Sequence, residues 1–222
     1  MKLSIIIPIL NEAGCIEESL EKLQDLRRAG HEVIVVDGGS SDASVALAMP
    51  LCDRLIESDR GRARQMNAGA VAAEGNILIF LHADTSFTFD PGTVLKDFMH
   101  EDEWGCFTVC LSGMHPLFRV VEFFINLRSR LTSIVSGDQT LFVNRDLFSR
   151  AGGFPDIPLM EDIAISRILK SYRSPVCLRN KVISSSRRWE RYGIVTTVLQ
   201  MWLRRLRYAM GADPVTLAKN YD

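Results

Sequence analysis

Two side chains that can bind a cation, His82 and Asp84, follow directly after the apolar run "ILIFL" at residues 77–81. Carboxylate oxygens suit Mg²⁺ and Mn²⁺, which often combine one or two protein carboxylates with the phosphates of a substrate. This spacing predicts a divalent-cation site that serves a diphosphate, with Asp84 as its ligand. For His82 two interpretations stay open, a metal ligand and a structural histidine held by hydrogen bonds.

Polar residues also follow two earlier apolar runs. "LSIIIPI" at residues 3–9 leads to Asn11 and Glu12, and "EVIVV" at residues 32–36 leads to Asp37, the first residue of "DGGSSD". Ligands of an open parallel sheet bind where the carboxyl ends of its strands meet, so we expect one polar rim. Asp37 can accept from a nucleotide base or ribose. A turn followed by a helix cap is the alternative for "DGGSSD", and a plain loop for "NEAG".

The elements that position this rim alternate between apolar strands and helical patterns. Strands without polar alternation are typical of a parallel sheet with helices on both faces, so the sequence predicts an α/β fold. We expect "NILIFLHAD" to form the third strand, a mixed sheet beyond residue 90, and a helix from Pro91 through "KDFM". Residues 1–186 are expected to form the catalytic domain, with a C-terminal helical extension over 187–222 packed on it.

Composition excludes several classes of protein. Apolar residues make up 47% of the 222-residue chain and the net charge is −1, so we expect no nucleic-acid partner. Five scattered cysteines with no zinc spacing indicate free thiols and a cytoplasmic location. We expect no signal peptide and no membrane span. Neither GxGxxG nor a Walker A motif occurs, which disfavours nicotinamide and P-loop enzymes.

Four motifs in a fixed order carry a resemblance to a known family. "SIIIPILNEAG", "VIVVDGGSSD", "RGRARQMNAGAVAAEGNILIFLHADT" and "GGFPDIPLMEDIAISRIL" resemble the family-2 glycosyltransferases of the GT-A fold, over roughly residues 3–190. "GRARQMNAGA" followed by "FLHADT" is similar, more narrowly, to the bacterial group called rSAM/selenodomain-associated transferase 2. The resemblance implies a hexosyltransferase-like enzyme with a mostly parallel central sheet.

The resemblance also implies roles for individual residues. Asp162, in "MEDI", matches the catalytic base, and Asp84 matches the last acid of the DxD motif that binds the metal (Mn²⁺ or Mg²⁺) and the diphosphate. The nucleotide-sugar donor is expected to contact Pro8, Asn11, Glu12, Asp37, Arg62, Asn67 and Asp84. The acceptor side is expected to contain Asp138, Gln139, Glu161, Arg188 and Trp189.

Three positions depart from the family pattern. The first acid of DxD is replaced by His82, which leaves the metal preference open. Leu10 stands where the family often has an aromatic residue before "NE" that can stack on the nucleotide base. The resemblance therefore does not indicate which nucleotide base the donor contains. "SSRRW" at residues 185–189 is similar to the QxxRW of processive members, but Ser185 replaces the glutamine. We therefore do not infer processivity from this segment.

These residue types suit sugar transfer with inversion. A cation stabilises the leaving diphosphate, and a base takes the proton of the acceptor hydroxyl. Two other classes stay open: a noncatalytic nucleotide-sugar-binding protein, which needs no Asp162, and a sugar-nucleotide nucleotidyltransferase. The latter is disfavoured because "PILNEAG" is neither glycine-rich nor basic. For Glu161 and Asp162, a structural role at a helix N-terminus is an alternative compatible with catalysis.

The C-terminal helix has two interpretations. Apolar residues recur at helical spacing from Val195 to Leu206, with Arg204, Arg205 and Arg207 beside them. A basic amphipathic helix can lie on the inner face of an anionic membrane, which would suit a lipid-linked acceptor. The alternative, which we favour, is packing on the catalytic domain or on a second subunit of a homodimer.

Overall fold

A computed structural model describes residues 1–96 and 102–219. Its strands form one eight-stranded sheet: β1 (Leu3–Ile9), β2 (Glu32–Asp37), β3 (Arg54–Glu57), β4 (Ile77–Phe80), β5 (Thr85–Phe87), β6 (Trp104–Leu111), β7 (Leu141–Asn144) and β8 (Val176–Ser184). The helices are α1 (Ile16–Glu21), α2 (Gln24–Arg28), α3 (Ser44–Ala48), α4 (Arg62–Ala72), α5 (Pro91–Leu95), α6 (Pro116–Thr132), α7 (Arg145–Arg150), α8 (Glu161–Tyr172), α9 (Arg187–Tyr192), α10 (Ile194–Ala209) and α11 (Pro214–Ala218). Short 3₁₀ turns occupy Met49–Leu51 and Gly137–Gln139.

The sheet is mixed, as the sequence predicts beyond residue 90. Its strand order is β3-β2-β1-β4-β7-β6-β8-β5. The first half, β3 to β4, is parallel, and β7 then runs antiparallel to both β4 and β6. Strand β8 pairs parallel with β6 and antiparallel with β5. Because β1, β2 and β4 are parallel, the loops that follow them leave the same edge of the sheet.

Both faces of the parallel half are covered, which explains its continuous apolar strands. On β1, Ile5 and Ile7 join the core formed with α1 and α3, whereas Ile6 points into the core formed with α4 and α8. Helix α4 lies especially close: a Cβ on Gly69 would stand 2.5 Å from Cγ2 of Ile6. The missing side chain at residue 69 thus sets the height of α4 above the strand.

Several elements differ from those predicted. Strand β4 ends at Phe80, so His82 and Asp84 lie in the turn that follows rather than on the strand. Apolar residues recur at helical spacing over residues 16–26, and this segment forms two short helices, α1 and α2. Strands β3, β5 and β8 have no counterpart in the sequence prediction. The predicted helix from Pro91 is described as far as Leu95, and residues 97–99 of it lie outside the described residues.

The C-terminal helices pack on the rest of the molecule. Trp189 of α9 joins Leu111 of β6 and Phe118 of α6 in one apolar cluster, and Leu217 of α11 packs on Met160. Within the described part of the chain, no helix is both long enough and apolar enough to cross a bilayer. A domain boundary between residues 186 and 187 stays a prediction.

Candidate active site

A cleft of ≈ 460 Å³ lies at the carboxyl ends of β1 and β4. Its other walls come from the start of α4, the loop before β7, the start of α8, the end of β8, α9 and α10. Ten residues that the sequence predicts for the site line this cleft: Pro8, Glu12, Arg62, His82, Asp84, Asp138, Glu161, Asp162, Arg188 and Trp189. The topology therefore brings the predicted donor and acceptor residues to one place.

Two predicted donor residues, Asn11 and Asp37, tie the loops after β1 and β2 together instead of lining the cleft. Oδ1 of Asn11 accepts from the backbone N–H of Ser41 at 2.8 Å. The carboxylate of Asp37 accepts from the N–H groups of Gly39 and Ser40 at 3.0–3.1 Å. For Asp37 these bonds match the turn interpretation of "DGGSSD", and its role toward a nucleotide stays a prediction.

Asn67 and Gln139 also lie outside the lining of the cleft. Asn67 holds the loop after α7, since it donates to the carbonyl of Phe154 and accepts from the N–H of the same residue, at 2.8 and 2.9 Å. Gln139 is 1% exposed and donates to Oγ of Ser129 at 2.8 Å, which fixes the loop before β7 onto α6. Both amides have structural partners, and their predicted ligand contacts are untested.

Several polar residues line the cleft that the sequence does not assign to the donor or acceptor, and those with the longest side chains are Arg60, Gln65, Arg204 and Arg205. The amide of Gln65 donates to the carbonyls of Ile9 and Val36, both at 2.8 Å, and so joins the ends of β1 and β2. Arg60 stands two residues before Arg62, a proximity that could have drawn attention to it. For α10, the sequence contains no signal that the helix returns to the cleft.

His82 contacts the loop before β7. Its Nδ1 lies 3.6 Å from Oδ1 of Asp138, and its ring packs so closely on Gly137 that a Cβ there would stand 2.5 Å from Nε2. Burial by itself raises the pKa of Asp138, but His82, Arg62 and Arg128 together hold that pKa below the usual value. The carboxylate of Asp138 is therefore ionised at neutral pH.

Two adjacent carboxylates, Glu161 and Asp162, begin α8. Burial raises the pKa of both, and for Glu161 the negative charge of Asp162 raises it further. Asp162 accepts from the N–H groups of Ile163 and Gly137 at 2.7 and 3.2 Å, and Glu161 lies 3.8 Å from Nη1 of Arg62. An acid with a raised pKa that lines a cleft is suited to exchanging a proton with a substrate.

Backbone strain accumulates around the cleft. Four non-glycine residues in the described part of the chain have a positive φ: Asn11, Ser133, Thr140 and Met160. Met160 (φ 70°) lines the cleft directly before Glu161, and Asn11 (φ 56°) follows Leu10 in its wall. Such conformations cost about 1–3 kcal/mol each and cluster at functional sites, so they support this location for the active site.

At the position predicted for a divalent cation, Asp84 is the carboxylate that the cleft offers, and the described residues form no complete cage around it. Among the described residues, no group of three or more His, Cys, Asp and Glu side chains is arranged to hold a metal ion. Asp84 lines the cleft, whereas His82 is engaged by Asp138. One carboxylate that leaves room for phosphate oxygens and water fits the coordination that Mg²⁺ prefers. The residues present therefore fit a cation shared with a bound diphosphate.

The sheet order and the cleft at its edge define a GT-A glycosyltransferase fold, and solved structures confirm this prediction. TarS residues 1–349 of S. aureus, in complex with UDP, superimposes with a TM-score of 0.68 at 19% identity, covering 83% of this chain and 60% of that one. A mannosyltransferase from Pyrobaculum calidifontis, in complex with GDP-Man and Mn²⁺, has a TM-score of 0.62 at 24% identity, with coverage of 82% and 56%.

Residues 4–113 match the family model described as glycosyl transferase family 2. This match confirms the resemblance to the family-2 glycosyltransferases that the motifs carry. The narrower resemblance, to the rSAM/selenodomain-associated transferase 2 group, stays a prediction.

The curated relatives include a polysaccharide synthase and a glycosyltransferase. Poly-beta-1,6-N-acetyl-D-glucosamine synthase of Staphylococcus aureus is 24% identical over 239 residues, which cover 97% of this chain and 55% of the relative. The PGL/p-HBAD biosynthesis glycosyltransferase of Mycobacterium bovis is 38% identical over 90 residues, covering 37% of this chain and 35% of the relative. The chain thus spans about half the length, or less, of these relatives.

Proposed function

We propose that this protein is an inverting glycosyltransferase that moves a sugar from a nucleotide-diphosphate sugar to an acceptor hydroxyl. The observation that carries the proposal is one cleft that combines Asp84, a group of arginines and Asp162, a partly buried acid with a raised pKa. The donor class is supported by relatives of the same fold, since TarS was solved with UDP-GlcNAc and the mannosyltransferase with GDP-Man.

Positive charge in the cleft suits the leaving diphosphate. Five arginines line it: Arg60, Arg62, Arg188, Arg204 and Arg205. Guanidinium groups bind phosphate oxygens with paired hydrogen bonds, so these side chains would hold the donor and stabilise the charge that develops on the diphosphate. A divalent cation, when bound through Asp84, supplies further positive charge at the diphosphate.

Asp162 is assigned the role of general base. The acceptor oxygen bonds to the anomeric carbon while its proton passes to the Asp162 carboxylate. The bond from that carbon to the diphosphate oxygen breaks, and its electron pair leaves with the diphosphate. Attack on the face opposite the leaving group inverts the anomeric centre. The raised pKa of Asp162, caused by burial, makes its carboxylate a stronger base than an exposed aspartate.

Calorimetric titration tests the donor side of this proposal. UDP-, GDP- and dTDP-sugars are titrated, each with and without Mn²⁺, into the wild type, Asp84→Ala and the control Asp25→Ala, which alters an exposed acid on α2. We expect metal-dependent binding of one nucleotide class, weakened at least about tenfold in Asp84→Ala and unchanged in Asp25→Ala. If no nucleotide binds under any condition, the chain keeps its fold but loses the proposed function.

Turnover separates an enzyme from a noncatalytic binding protein. The donor that binds is incubated without acceptor, and free nucleotide is measured over time. Slow hydrolysis that depends on Asp162 supports the enzyme. Binding without hydrolysis, and without transfer to any of a panel of sugar and lipid-linked acceptors, would instead identify a nucleotide-sugar-binding protein. Pyrophosphate-dependent release of nucleotide would identify a nucleotidyltransferase.

A further inference from the structure

A second concave surface, the α6–α10 groove, lies between helices α6 and α10 and has a volume of ≈ 780 Å³. Its lining is almost entirely apolar and includes Phe124, Leu199 and Trp202, whose exposed fractions are 51%, 63% and 62%. Soluble proteins rarely expose contiguous apolar surface of this kind unless it binds something. The volume falls within the ~300–1,000 Å³ typical of sites for small ligands.

The α6–α10 groove is continuous with the candidate active site. Trp189, Met201 and Arg205 line both concave surfaces, so they form the threshold between them. Arg205 is half-buried at this threshold. A molecule that fills the groove therefore reaches the cleft at the arginine-rich side that α9 and α10 supply.

The charged side chains of the groove lining are two arginines, Arg128 and Arg205. Nε and Nη1 of Arg128 are buried and have no hydrogen-bond partner among the described residues. The positive charge of Arg128 also acts on Asp138 and Asp162, which places the inner wall of the groove near the proposed base. An apolar channel with cationic groups at its inner end is complementary to an amphiphile with an anionic head.

We propose that the α6–α10 groove binds the apolar chain of an anionic lipid that presents the acceptor hydroxyl to the cleft. The chain lies between α6 and α10, and Arg205 and Arg128 contact the anionic headgroup. The hydroxyl at the end of the headgroup then loses its proton to Asp162 as its oxygen bonds to the sugar. This inference names the acceptor class and rests on the proposed function.

A lipid suits the groove better than a second copy of the chain. A two-fold dimer places the same patch on both sides of the interface, so it would bring a second set of arginines toward Arg128 and Arg205. A flat membrane surface would meet the exposed apolar residues of α10 but would not require a channel that leads into the cleft. The continuity through Trp189 is what favours one lipid molecule.

Binding of farnesyl phosphate, below its micelle concentration, tests the inference without any sugar nucleotide. Calorimetry gives the affinity, and tryptophan emission reports the location, because Trp189 and Trp202 line the groove whereas Trp104 is buried in the core. We expect saturable binding with a blue shift of the emission. Farnesol and inorganic phosphate, tested separately, are expected to bind at least about tenfold more weakly, because farnesol lacks the anionic group and phosphate lacks the apolar chain.

Matched variants of α10 locate the site. Leu199→Glu alters the groove lining, and Leu203→Glu alters an apolar residue of similar exposure outside it. Arg205→Gln and Arg207→Gln form a second pair, of which Arg205 alone lines the groove. We expect Leu199→Glu and Arg205→Gln to weaken farnesyl phosphate at least about tenfold and the two control variants to leave it unchanged. Circular dichroism shows that each variant is folded.

Other outcomes would overturn the inference. Leu199→Glu and Leu203→Glu could weaken binding equally while the wild type floats with anionic vesicles. This result would indicate that the exposed face of α10 binds a membrane surface instead of a single lipid. A concentration-dependent dimer that prevents farnesyl phosphate from binding would indicate that a second copy of the chain occupies the groove. If farnesyl phosphate does not bind while a nucleotide sugar does, the lipid inference fails and the proposed function stands. If the lipid binds and no nucleotide does, the proposed function fails.

Discussion

The imidazole of His82 lies beside the carboxylate of Asp138, with Nδ1 and Oδ1 3.6 Å apart. This contact joins the turn after β4 to the loop before β7, two segments that the chain separates by more than fifty residues. The same loop is held from its other side by the N–H of Gly137, which donates to Asp162. His82 thus helps to orient the loop that contacts the proposed base, a structural role that the sequence leaves open beside metal binding.

His82→Ala is expected to lower the turnover rate more than the affinity for the donor. Loss of the imidazole removes a partner that keeps the pKa of Asp138 low, so burial then raises that pKa. Carbon-13 NMR of the Asp138 carboxyl measures the shift. The control is His115→Ala, which alters an exposed histidine before α6. Loss of Mn²⁺-dependent donor binding in His82→Ala, with Asp138 unchanged, would instead make His82 a metal ligand.

Asp162→Asn is expected to bind the donor normally and to transfer sugar ~10²- to 10⁴-fold more slowly, the usual contribution of a positioned base. The amide keeps the shape of the side chain, and its single oxygen can still accept from one of the two N–H donors, Ile163 or Gly137, so the fold around the cleft should persist. Single-turnover kinetics with donor bound beforehand measure the step. Asp156→Asn, which alters an exposed acid paired with Arg64, is the control. Wild-type turnover of Asp162→Asn would exclude Asp162 as the base.

Glu161→Gln is expected to move the acid limb of kcat/KM to lower pH. The base must be ionised, and burial raises the pKa of Asp162, so activity falls as pH drops through a value above that of an ordinary aspartate. The charge of Asp162 raises the pKa of Glu161, and because this repulsion is mutual, removing the Glu161 carboxylate lets Asp162 ionise more readily. A pH–rate profile compares the wild type with Glu161→Gln and with Glu17→Gln, an exposed control on α1. An unmoved acid limb would show that the two carboxylates titrate independently.

Gly69→Ala tests the close approach of α4 to β1. The new Cβ would lie 2.5 Å from Cγ2 of Ile6 and 3.0 Å from Cγ2 of Val36. Overpacking of this kind costs about 1–3 kcal/mol, more than the ~0.5–1 kcal/mol that alanine gains over glycine inside a helix. Urea unfolding should therefore show a net loss of stability. Gly14→Ala, whose Cβ meets nothing closer than 4.0 Å, should not, and equal stability of both variants would contradict the packing argument.

Much of the fold could be predicted because its parallel half obeys simple rules. Strands β1, β2 and β4 are buried on both faces and read as unbroken apolar runs. Strand β8 could not be recognised, because Arg179 and Lys181 interrupt its apolar pattern where its side chains are partly exposed. Strands β3 and β5, with four and three residues, are too short to produce a pattern at all.

The candidate site also contains residues whose positions the sequence predicts and residues whose positions it does not. Residues that follow buried strands, such as Glu12 and Asp84, reach the cleft because strand direction places them there. The side chains of Asn67 and Gln139 are instead committed to distant partners, and no local pattern reveals such contacts. Arg204 and Arg205 are visible in the sequence as a basic helix, yet their place in the cleft depends on how α10 packs.

Asp162→Asn is also expected to change stability with pH. Burial raises the folded-state pKa of Asp162 above its usual value, so the wild type loses stability as pH rises through that folded pKa and the side chain ionises. Asparagine carries no such cost. The variant should therefore be more stable than the wild type at pH 7, and the difference should shrink in acid below the usual aspartate pKa. Urea unfolding at several pH values measures it.

Asp138→Asn supplies a control of opposite sign. The pKa of Asp138 is held low in the folded protein by His82 and two arginines that outweigh burial, so its carboxylate stabilises the fold above the unfolded pKa and this contribution is lost in acid. Asp138→Asn should thus be less stable than the wild type at pH 7 and converge with it as pH falls. If both variants shift stability in the same direction at pH 7, the two carboxylates do not have the opposed pKa shifts described for the cleft. Opposite changes in stability would show that the ionised carboxylate of Asp162 destabilises the folded protein, whereas that of Asp138 stabilises it.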